Sequence, residues 1–175
     1  MSPTKRIVLV GLPGAGKSTV GALVAAELGW RFVDLDTEIE RLAGASVPEI
    51  FAAKGEGEFR RLERAATEGL AGADRLVLAP GGGWMADQGN REALGAGSTV
   101  VYLCVAPAVA ASRLAGAPGS RPLIAGANGV EKLKKILAER ETSYLQANHT
   151  VTVDLMPPSE VASIIVALVL GGERY

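Results

Sequence analysis

The chain has 175 residues, 48% apolar and 21% charged, which suits one globular domain and excludes a disordered or fibrous chain. Its 18 basic and 19 acidic residues leave a net charge of −1, which gives no chain-wide attraction to nucleic acid or to an anionic membrane. The single cysteine, Cys104, excludes an internal disulfide and favours a reducing, cytoplasmic setting. We therefore expect one domain over residues 1–175, with no nucleic-acid or membrane partner.

Short apolar runs alternate along the chain with segments of helical periodicity, the pattern of α/β proteins with a mostly parallel sheet. The runs bounded by Gly, Pro or polar residues are predicted strands, at 7–10, 32–35, 76–79, 99–105 and 150–153. The periodic segments are predicted helices, at 17–28, 58–70, 107–114, 130–145 and 159–170. Ser46 and Glu49 have the spacing of a capping box, which predicts one further short helix.

Residues 115–129 differ from the rest of the chain in being rich in Gly, Pro and Ala, with Arg121 as their one charged side chain. Mobile loops that carry a single strong cation often close over substrates. Composition alone favours an ordinary surface loop instead. A lid at this position is therefore an expectation that depends on the motifs elsewhere.

Residues 11–18 read Gly-Leu-Pro-Gly-Ala-Gly-Lys-Ser and match the phosphate-binding pattern G-x-x-x-x-G-K-[ST] between a predicted strand and a predicted helix. In such a loop, backbone N–H groups and the helix N-terminus surround phosphate oxygens. The lysine reaches the β- and γ-phosphates of a nucleoside triphosphate, and the serine hydroxyl ligates Mg²⁺. The predicted nucleotide contacts are Gly14, Ala15, Gly16, Lys17, Ser18 and Thr19.

Two carboxylates, Asp34 and Asp36, stand at the end of the second predicted strand, and in an extended chain both would point to the same side. That end of a parallel sheet carries the functional site. One carboxylate can support Mg²⁺ while the other orients a hydroxyl or accepts its proton. The alternative is that Asp36 caps the helix containing Ile39 and Leu42, and both roles can coexist.

Six groups of residues follow one another in a characteristic order: the loop at 11–18, Asp34-Leu35-Asp36, Gly57-Glu58-Phe59-Arg60-Arg61-Leu62-Glu63, Gly81-Gly82-Gly83, Arg121-Pro122-Leu123, and Glu139-Arg140 with Tyr144. In this order and approximate spacing they resemble the motifs of the shikimate kinase family over nearly the whole chain. The resemblance implies a three-layer α/β/α P-loop kinase fold with a five-stranded parallel sheet and a mobile lid. It also implies ATP and Mg²⁺ as cofactors, the 3-hydroxyl of shikimate as the acceptor, and a monomer.

The resemblance further implies roles for individual residues. The catalytic residues would be Lys17, Asp36 and Arg121, the last closing on the transferring phosphoryl group from the lid. The acceptor would be bound by Asp36, Arg60, Glu63, Gly82, Gly83 and Arg140, with the two arginines on its carboxylate. Ser18 and, through water, Asp34 would hold Mg²⁺. Arg113 would stack on adenine, unless it is simply an exposed arginine at a helix end.

The chain departs from the family pattern at a few positions. Trp84 directly follows the triple glycine, where a smaller apolar residue is usual, and it would either reshape the acceptor site or pack in the core. One additional residue falls between Arg113 and Arg121, and another between Leu94 and Thr99. Two alternatives therefore stay open: a kinase for gluconate or a nucleoside monophosphate, and a non-catalytic nucleotide-binding module. The acceptor-side residues argue against the second.

Overall fold

A computed structural model describes residues 4–116 and 128–171. Its centre is a five-stranded sheet in the order β2-β3-β1-β4-β5, and every neighbouring pair of strands is parallel. The strands are β1 (Arg6–Val10), β2 (Arg31–Asp34), β3 (Leu76–Ala79), β4 (Ser98–Cys104) and β5 (His149–Thr152). The helices are α1 (Lys17–Leu28), α2 (Leu35–Ala43), α3 (Val47–Gly69), α4 (Gln88–Leu94), α5 (Pro107–Ala115), α6 (Gly129–Tyr144) and α7 (Pro158–Gly171). The three-layer α/β/α fold with a five-stranded parallel sheet is thus confirmed.

The middle of the sheet is apolar and covered on both faces. All five residues of β1 and all four of β3 are buried. Parallel strands covered by helices on both faces read as continuous apolar runs, which explains why these strands were evident in the sequence. The edge strand β2 is less buried, and its first residue, Arg31, is exposed.

The carboxyl ends of β1, β2 and β3 lie side by side and carry the predicted motifs. In the register of the sheet, Asp34 at the end of β2 pairs with Ala79 at the end of β3. Gly81 follows two residues beyond Ala79, and the phosphate loop follows directly after Val10 of β1. Three segments distant in sequence therefore meet at one edge of the sheet.

Several element boundaries differ from the sequence-based prediction. Strand β2 ends at Asp34 instead of residue 35, because the Asp34 carboxylate accepts a hydrogen bond from the Thr37 N–H (3.1 Å) and caps α2. The capping box of Ser46 and Glu49 is present, but the helix that it starts continues through Gly55, where φ is 79° and ψ 179°, as far as Gly69. One kinked helix thus replaces the two that were predicted.

The turn of 3₁₀ helix at Trp84–Ala86 and helix α4 were not predicted. Asp87 caps the N-terminus of helix α4, and its carboxylate accepts a hydrogen bond from the Gly89 N–H (2.9 Å). One of its two buried residues is polar, Asn90, which conceals the apolar periodicity.

No helix within residues 4–116 and 128–171 is long and apolar enough to span a bilayer. Arg121 and most of the predicted lid lie outside the described residues.

Candidate active site

The phosphate loop joins β1 to α1 in a conformation that depends on glycine. Gly14 and Gly16 have φ values of 83° and 92°, in the left-handed region that side chains disfavour. A Cβ on Gly14 would also lie 2.6 Å from the backbone oxygen of Ala110 in α5. Gly16 is the N-cap of α1 and makes no side-chain capping bond. The first turn of α1 therefore presents its N–H groups to the loop, where anions bind favourably.

Lys17 is the first residue of α1, and its side chain folds back over the loop. Its Nζ donates to the carbonyl oxygens of Gly11 and Leu12, at 2.9 Å each. The ammonium group is thus held at the mouth of the loop, close to where phosphate oxygens would lie.

Ser18 and Asp34 come together from α1 and from the end of β2. The Ser18 hydroxyl donates a short hydrogen bond to Asp34 Oδ2, while Oδ1 caps α2 through Thr37. Mg²⁺ is usually held in nucleotide sites by one or two protein oxygens, with phosphate and water as the other ligands. A hydroxyl and a carboxylate side by side fit that requirement. In the described part of the chain, no three His, Cys, Asp or Glu residues cluster as a complete metal site.

The sequence interpretation placed Asp36 on an extended chain at the end of the second strand. In the structure it lies in the first turn of α2. The alternative role of helix cap belongs to Asp34 instead. The Asp36 carboxylate faces the glycine loop, since a Cβ on Gly81 would lie 3.1 Å from its Oδ1. The same Cβ would lie 3.7 Å from Glu63 Oε2, so two carboxylates from different helices converge on Gly81.

Glu63 is completely buried in α3. Its Oε1 accepts hydrogen bonds from Arg60 Nη1 (2.9 Å) and Asn90 Nδ2 (3.4 Å), while Oε2 has no hydrogen-bond partner among the described residues. Burial raises the pKa of this carboxyl, and the nearby charge of Asp36 raises it further. The charge and hydrogen bond of Arg60, together with the Asn90 amide, oppose that rise in pKa without cancelling it.

Arg60 and Arg140 lie against consecutive glycines of the loop after β3. A Cβ on Gly82 would lie 2.7 Å from Arg140 Nη1, and one on Gly83 would lie 2.5 Å from Arg60 Nη2. Glycine is needed at both positions for the guanidinium groups to approach the backbone this closely. Burial lowers the pKa of Arg60, but the charges and hydrogen bonds of Glu63 and Glu56 together raise it above its ordinary value. Arg60 therefore stays charged.

Trp84 does not enter this site. It is fully buried, and its indole N–H donates to Thr67 Oγ1 (3.0 Å), whose hydroxyl donates to the backbone oxygen of Glu63 (2.8 Å). The core-packing alternative is the one observed. Through Thr67, the indole supports the backbone of α3 beneath Glu63.

Arg113 lies in the last turn of α5 and is half-buried. It is therefore not the exposed arginine at a helix end that was the alternative. Its Nη2 donates to the carbonyl oxygens of Val153 (2.6 Å) and Asp154 (3.5 Å), directly after β5. Arg61 and Arg64, which the sequence gave no reason to place in a site, form ion pairs with Glu58 and Asp87.

Sequence reasoning assigned no role to two residues of this region, Asn90 and Tyr144. Asn90 contacts the Glu63 carboxylate, and Tyr144 donates from its hydroxyl to the Gly82 carbonyl oxygen (2.7 Å). Asn90 gave no signal, because it belongs to a helix that was not predicted. Tyr144 stood within a motif but could be connected to Gly82 only by the tertiary structure.

A strand–loop–helix phosphate cradle at the carboxyl edge of a parallel sheet, with arginines and carboxylates converging beside it, is characteristic of P-loop phosphotransferases that act on a small acceptor. The class is thereby set, and comparison with known proteins identifies the family.

Residues 13–169 match the family model described as shikimate kinase. A shikimate kinase of Oleidesulfovibrio alaskensis is 37% identical over 94% of this chain and 96% of the relative. One from Mycobacterium avium is 45% identical over 85% of this chain and 83% of the relative. The structure of the Acinetobacter baumannii shikimate kinase in complex with shikimate superposes with a TM-score of 0.90 at 36% identity, covering 98% of this chain and 96% of that one. The chain belongs to the shikimate kinase family, and it is an ATP-dependent kinase.

Proposed function

We propose that this chain transfers the γ-phosphoryl group of ATP to the 3-hydroxyl of shikimate, giving 3-phosphoshikimate and ADP. One observation carries the proposal beyond family membership. The Cβ position of Gly82 lies 2.7 Å from Arg140 Nη1 and 3.6 Å from the Gly11 carbonyl oxygen, and that carbonyl accepts from Lys17 Nζ. Arg140, which suits an acceptor carboxylate, and Lys17, which suits the donor phosphates, therefore lie close together, with Gly82 and Gly11 between them. The bound shikimate of the Acinetobacter baumannii relative supports the same acceptor.

On the donor side, Lys17 and the backbone N–H groups of the loop hold the triphosphate. The position of Lys17 over the Gly11 and Leu12 carbonyls supports its role at the β- and γ-phosphates. We assign the remaining donor contacts to Gly14, Ala15, Gly16, Ser18 and Thr19, and the adenine contact to Arg113. The hydrogen bonds from Arg113 to the chain after β5 hold its guanidinium group in place, and the planar face of that group suits stacking on a base.

The Ser18 hydroxyl and the Asp34 carboxylate are the groups that would hold Mg²⁺, Asp34 through water. When bound, the ion neutralises charge on the β- and γ-phosphates. The Asp34 carboxylate accepts from the Thr37 N–H through one oxygen and from the Ser18 hydroxyl through the other, so the two groups lie together in the free enzyme.

On the acceptor side, Arg60 and Arg140 bind the carboxylate of shikimate with charge-assisted hydrogen bonds. Gly82 and Gly83 allow the ring to approach the backbone. Asp36 orients the 3-hydroxyl and accepts its proton as the bond to phosphorus forms. Glu63 contacts the acceptor and holds Arg60 in place through their ion pair.

Arg121, which lies outside the described residues, is proposed to stabilise the charge on the transferring phosphoryl group, and residues 115–129 to act as its lid. We also propose that the chain is a single-domain monomer of a reducing cytoplasm. One continuous hydrophobic core within the described residues supports the single domain. Light scattering coupled to size-exclusion chromatography measures the oligomeric state.

The test of this function is ADP release from ATP and Mg²⁺ with shikimate, in parallel with gluconate, AMP, CMP and no acceptor. We expect release to depend on shikimate. Asp36→Asn keeps the shape of the side chain but removes its charge, and it should lower kcat by about 10²-fold or more. Release with another acceptor alone would replace shikimate by that acceptor. ATP binding without release on any acceptor would favour a non-catalytic module.

A further inference from the structure

Tyr144, the last residue of α6, is completely buried and carries its hydroxyl to the glycine loop. The hydroxyl donates to the carbonyl oxygen of Gly82 at 2.7 Å. It also lies 3.4 Å from the position that a Cβ on Gly82 would take, the same position that Arg140 Nη1 approaches at 2.7 Å. The tyrosine oxygen and the guanidinium group therefore share one face of Gly82.

Arg140 and Tyr144 are four residues apart on α6, a spacing that places two side chains on the same face of a helix. Burial raises the pKa of the Tyr144 hydroxyl, and the charge and a hydrogen bond of Arg140 act in the opposite direction. Both groups therefore meet at Gly82: the hydroxyl donates a hydrogen bond to its carbonyl oxygen, and the guanidinium group lies beside the same residue.

The ring of Tyr144 is held independently of these polar contacts. It stacks on Tyr102 of β4, with ring centroids 5.1 Å apart and an angle of 28° between the planes. Tyr102 is buried in one of the strands that pair with β1. The hydroxyl of Tyr144 is therefore anchored to the sheet, and its position does not depend on a bound acceptor.

We propose that Tyr144 is a positioning residue of the acceptor site, whose hydroxyl fixes the Gly82 peptide and the Arg140 guanidinium group in one geometry before the acceptor binds. The inference rests on the proposed function, which places Gly82 and Arg140 against the acceptor. A site whose groups are held in the productive geometry loses less freedom on binding. Without the hydroxyl, the Gly82 carbonyl loses a buried partner and Arg140 is free to turn away.

A purely structural role makes a different prediction, and Tyr102 provides the matched control. Tyr102 is the other member of the stacked pair and is also buried, but no hydrogen bond within the described residues joins its hydroxyl to the glycine loop. Replacing either tyrosine by phenylalanine keeps both rings and deletes one buried hydroxyl. Only Tyr144→Phe removes the contact with Gly82.

The experiment compares wild type, Tyr144→Phe, Tyr102→Phe and Arg140→Ala in steady-state kinetics and thermal unfolding. Tyr144→Phe should raise the KM for shikimate about tenfold, with the KM for ATP unchanged and a Tm close to that of Tyr102→Phe. A wild-type KM for shikimate in Tyr144→Phe, or an equal rise in Tyr102→Phe, would overturn the inference.

A second measurement needs no acceptor. In the free enzyme, amide hydrogen exchange at residues 81–83 should be several-fold faster in Tyr144→Phe and unchanged in Tyr102→Phe. Unchanged exchange in both variants would overturn the inference even if another acceptor replaced shikimate. By contrast, an unchanged KM for shikimate in Arg140→Ala, with accelerated exchange in Tyr144→Phe, would count against the proposed function alone.

Discussion

The donor side and the acceptor side of this site are built in opposite ways. The phosphate loop is one stretch of eight residues, 11–18, and it acts mainly through backbone groups. The acceptor side is assembled from side chains on α2, α3 and α6 around the glycines that follow β3. A backbone cradle can be recognised from a short sequence, whereas side chains that meet across four segments require the fold.

The two sides also differ in the atoms that a side chain in place of their glycines would contact. Gly14 faces a backbone oxygen in α5, while Gly82 and Gly83 face the side-chain ends of two arginines. On the donor side glycine permits a backbone shape, and on the acceptor side it makes room for functional groups. Changes on the donor side should therefore damage the loop, and changes on the acceptor side should mainly alter affinity for the acceptor.

Removal of the lysine charge tests the donor side most severely. Lys17→Ala should lower kcat by about 10³-fold or more, because no other side chain of the loop carries a positive charge toward the γ-phosphate. Binding of shikimate, followed by calorimetry, should be nearly unchanged. Lys134→Ala, which removes an exposed lysine paired with Glu131, is the control and should behave as wild type. If Lys17→Ala retained turnover, the loop would not be the donor site.

A pair of glycine substitutions tests the difference between the two sides directly. Gly14→Ala imposes both a disfavoured φ of 83° and a contact of 2.6 Å with backbone, so it should lower Tm and abolish ATP binding. Gly82→Ala displaces the tip of Arg140 instead, so Tm should change little while the KM for shikimate rises about 10-fold or more. Gly57→Ala, with nothing within 4 Å of its Cβ, is the control. Equal loss of ATP binding in Gly14→Ala and Gly82→Ala would erase the distinction between the two sides.

The buried carboxyl of Glu63 predicts a smaller effect, on stability. Because its pKa is raised above the ordinary value of 4.5, the folded state binds more protons than the unfolded state in the interval between the two pKa values. The stability it contributes is fully present below about pH 4.5 and is lost as the pH rises through the folded pKa.

In wild type, this loss lowers the free energy of unfolding by at most about 1.4 kcal/mol per pH unit as the pH rises. Glu63→Gln should abolish that fall. Urea unfolding of both proteins at intervals from about pH 4.5 to about pH 7.5 measures the difference. Glu58→Gln, at a partly exposed glutamate of the same helix that is paired with Arg61, should leave that fall in place. Parallel curves for wild type and Glu63→Gln would show that the pKa of Glu63 is not raised.

Most of the sheet and the long helices could be predicted because their signals are local. Strand β3, and β1 after its first residue Arg6, are unbroken apolar runs. Helix α1 follows the phosphate loop and is ended by Gly29 in the expected left-handed conformation. Two of the errors fell where a polar group decides the structure. Asp34 ends β2 by capping α2, and Asn90 gives α4 a buried face that does not look apolar.

By itself, the sequence determined the donor half of the site, because the backbone conformation of a phosphate loop is set by residues that are consecutive in the chain. It also indicated which residue types the acceptor half would use. Only the tertiary structure decided that Trp84 packs behind α3, that Glu63 is buried between Arg60 and Asn90, and that Tyr144 reaches Gly82. The hydrogen bonds of Trp84, Asn90 and Tyr144 join residues that are 17 to 62 positions apart in the sequence. Residues so far apart come into contact only when the sheet forms.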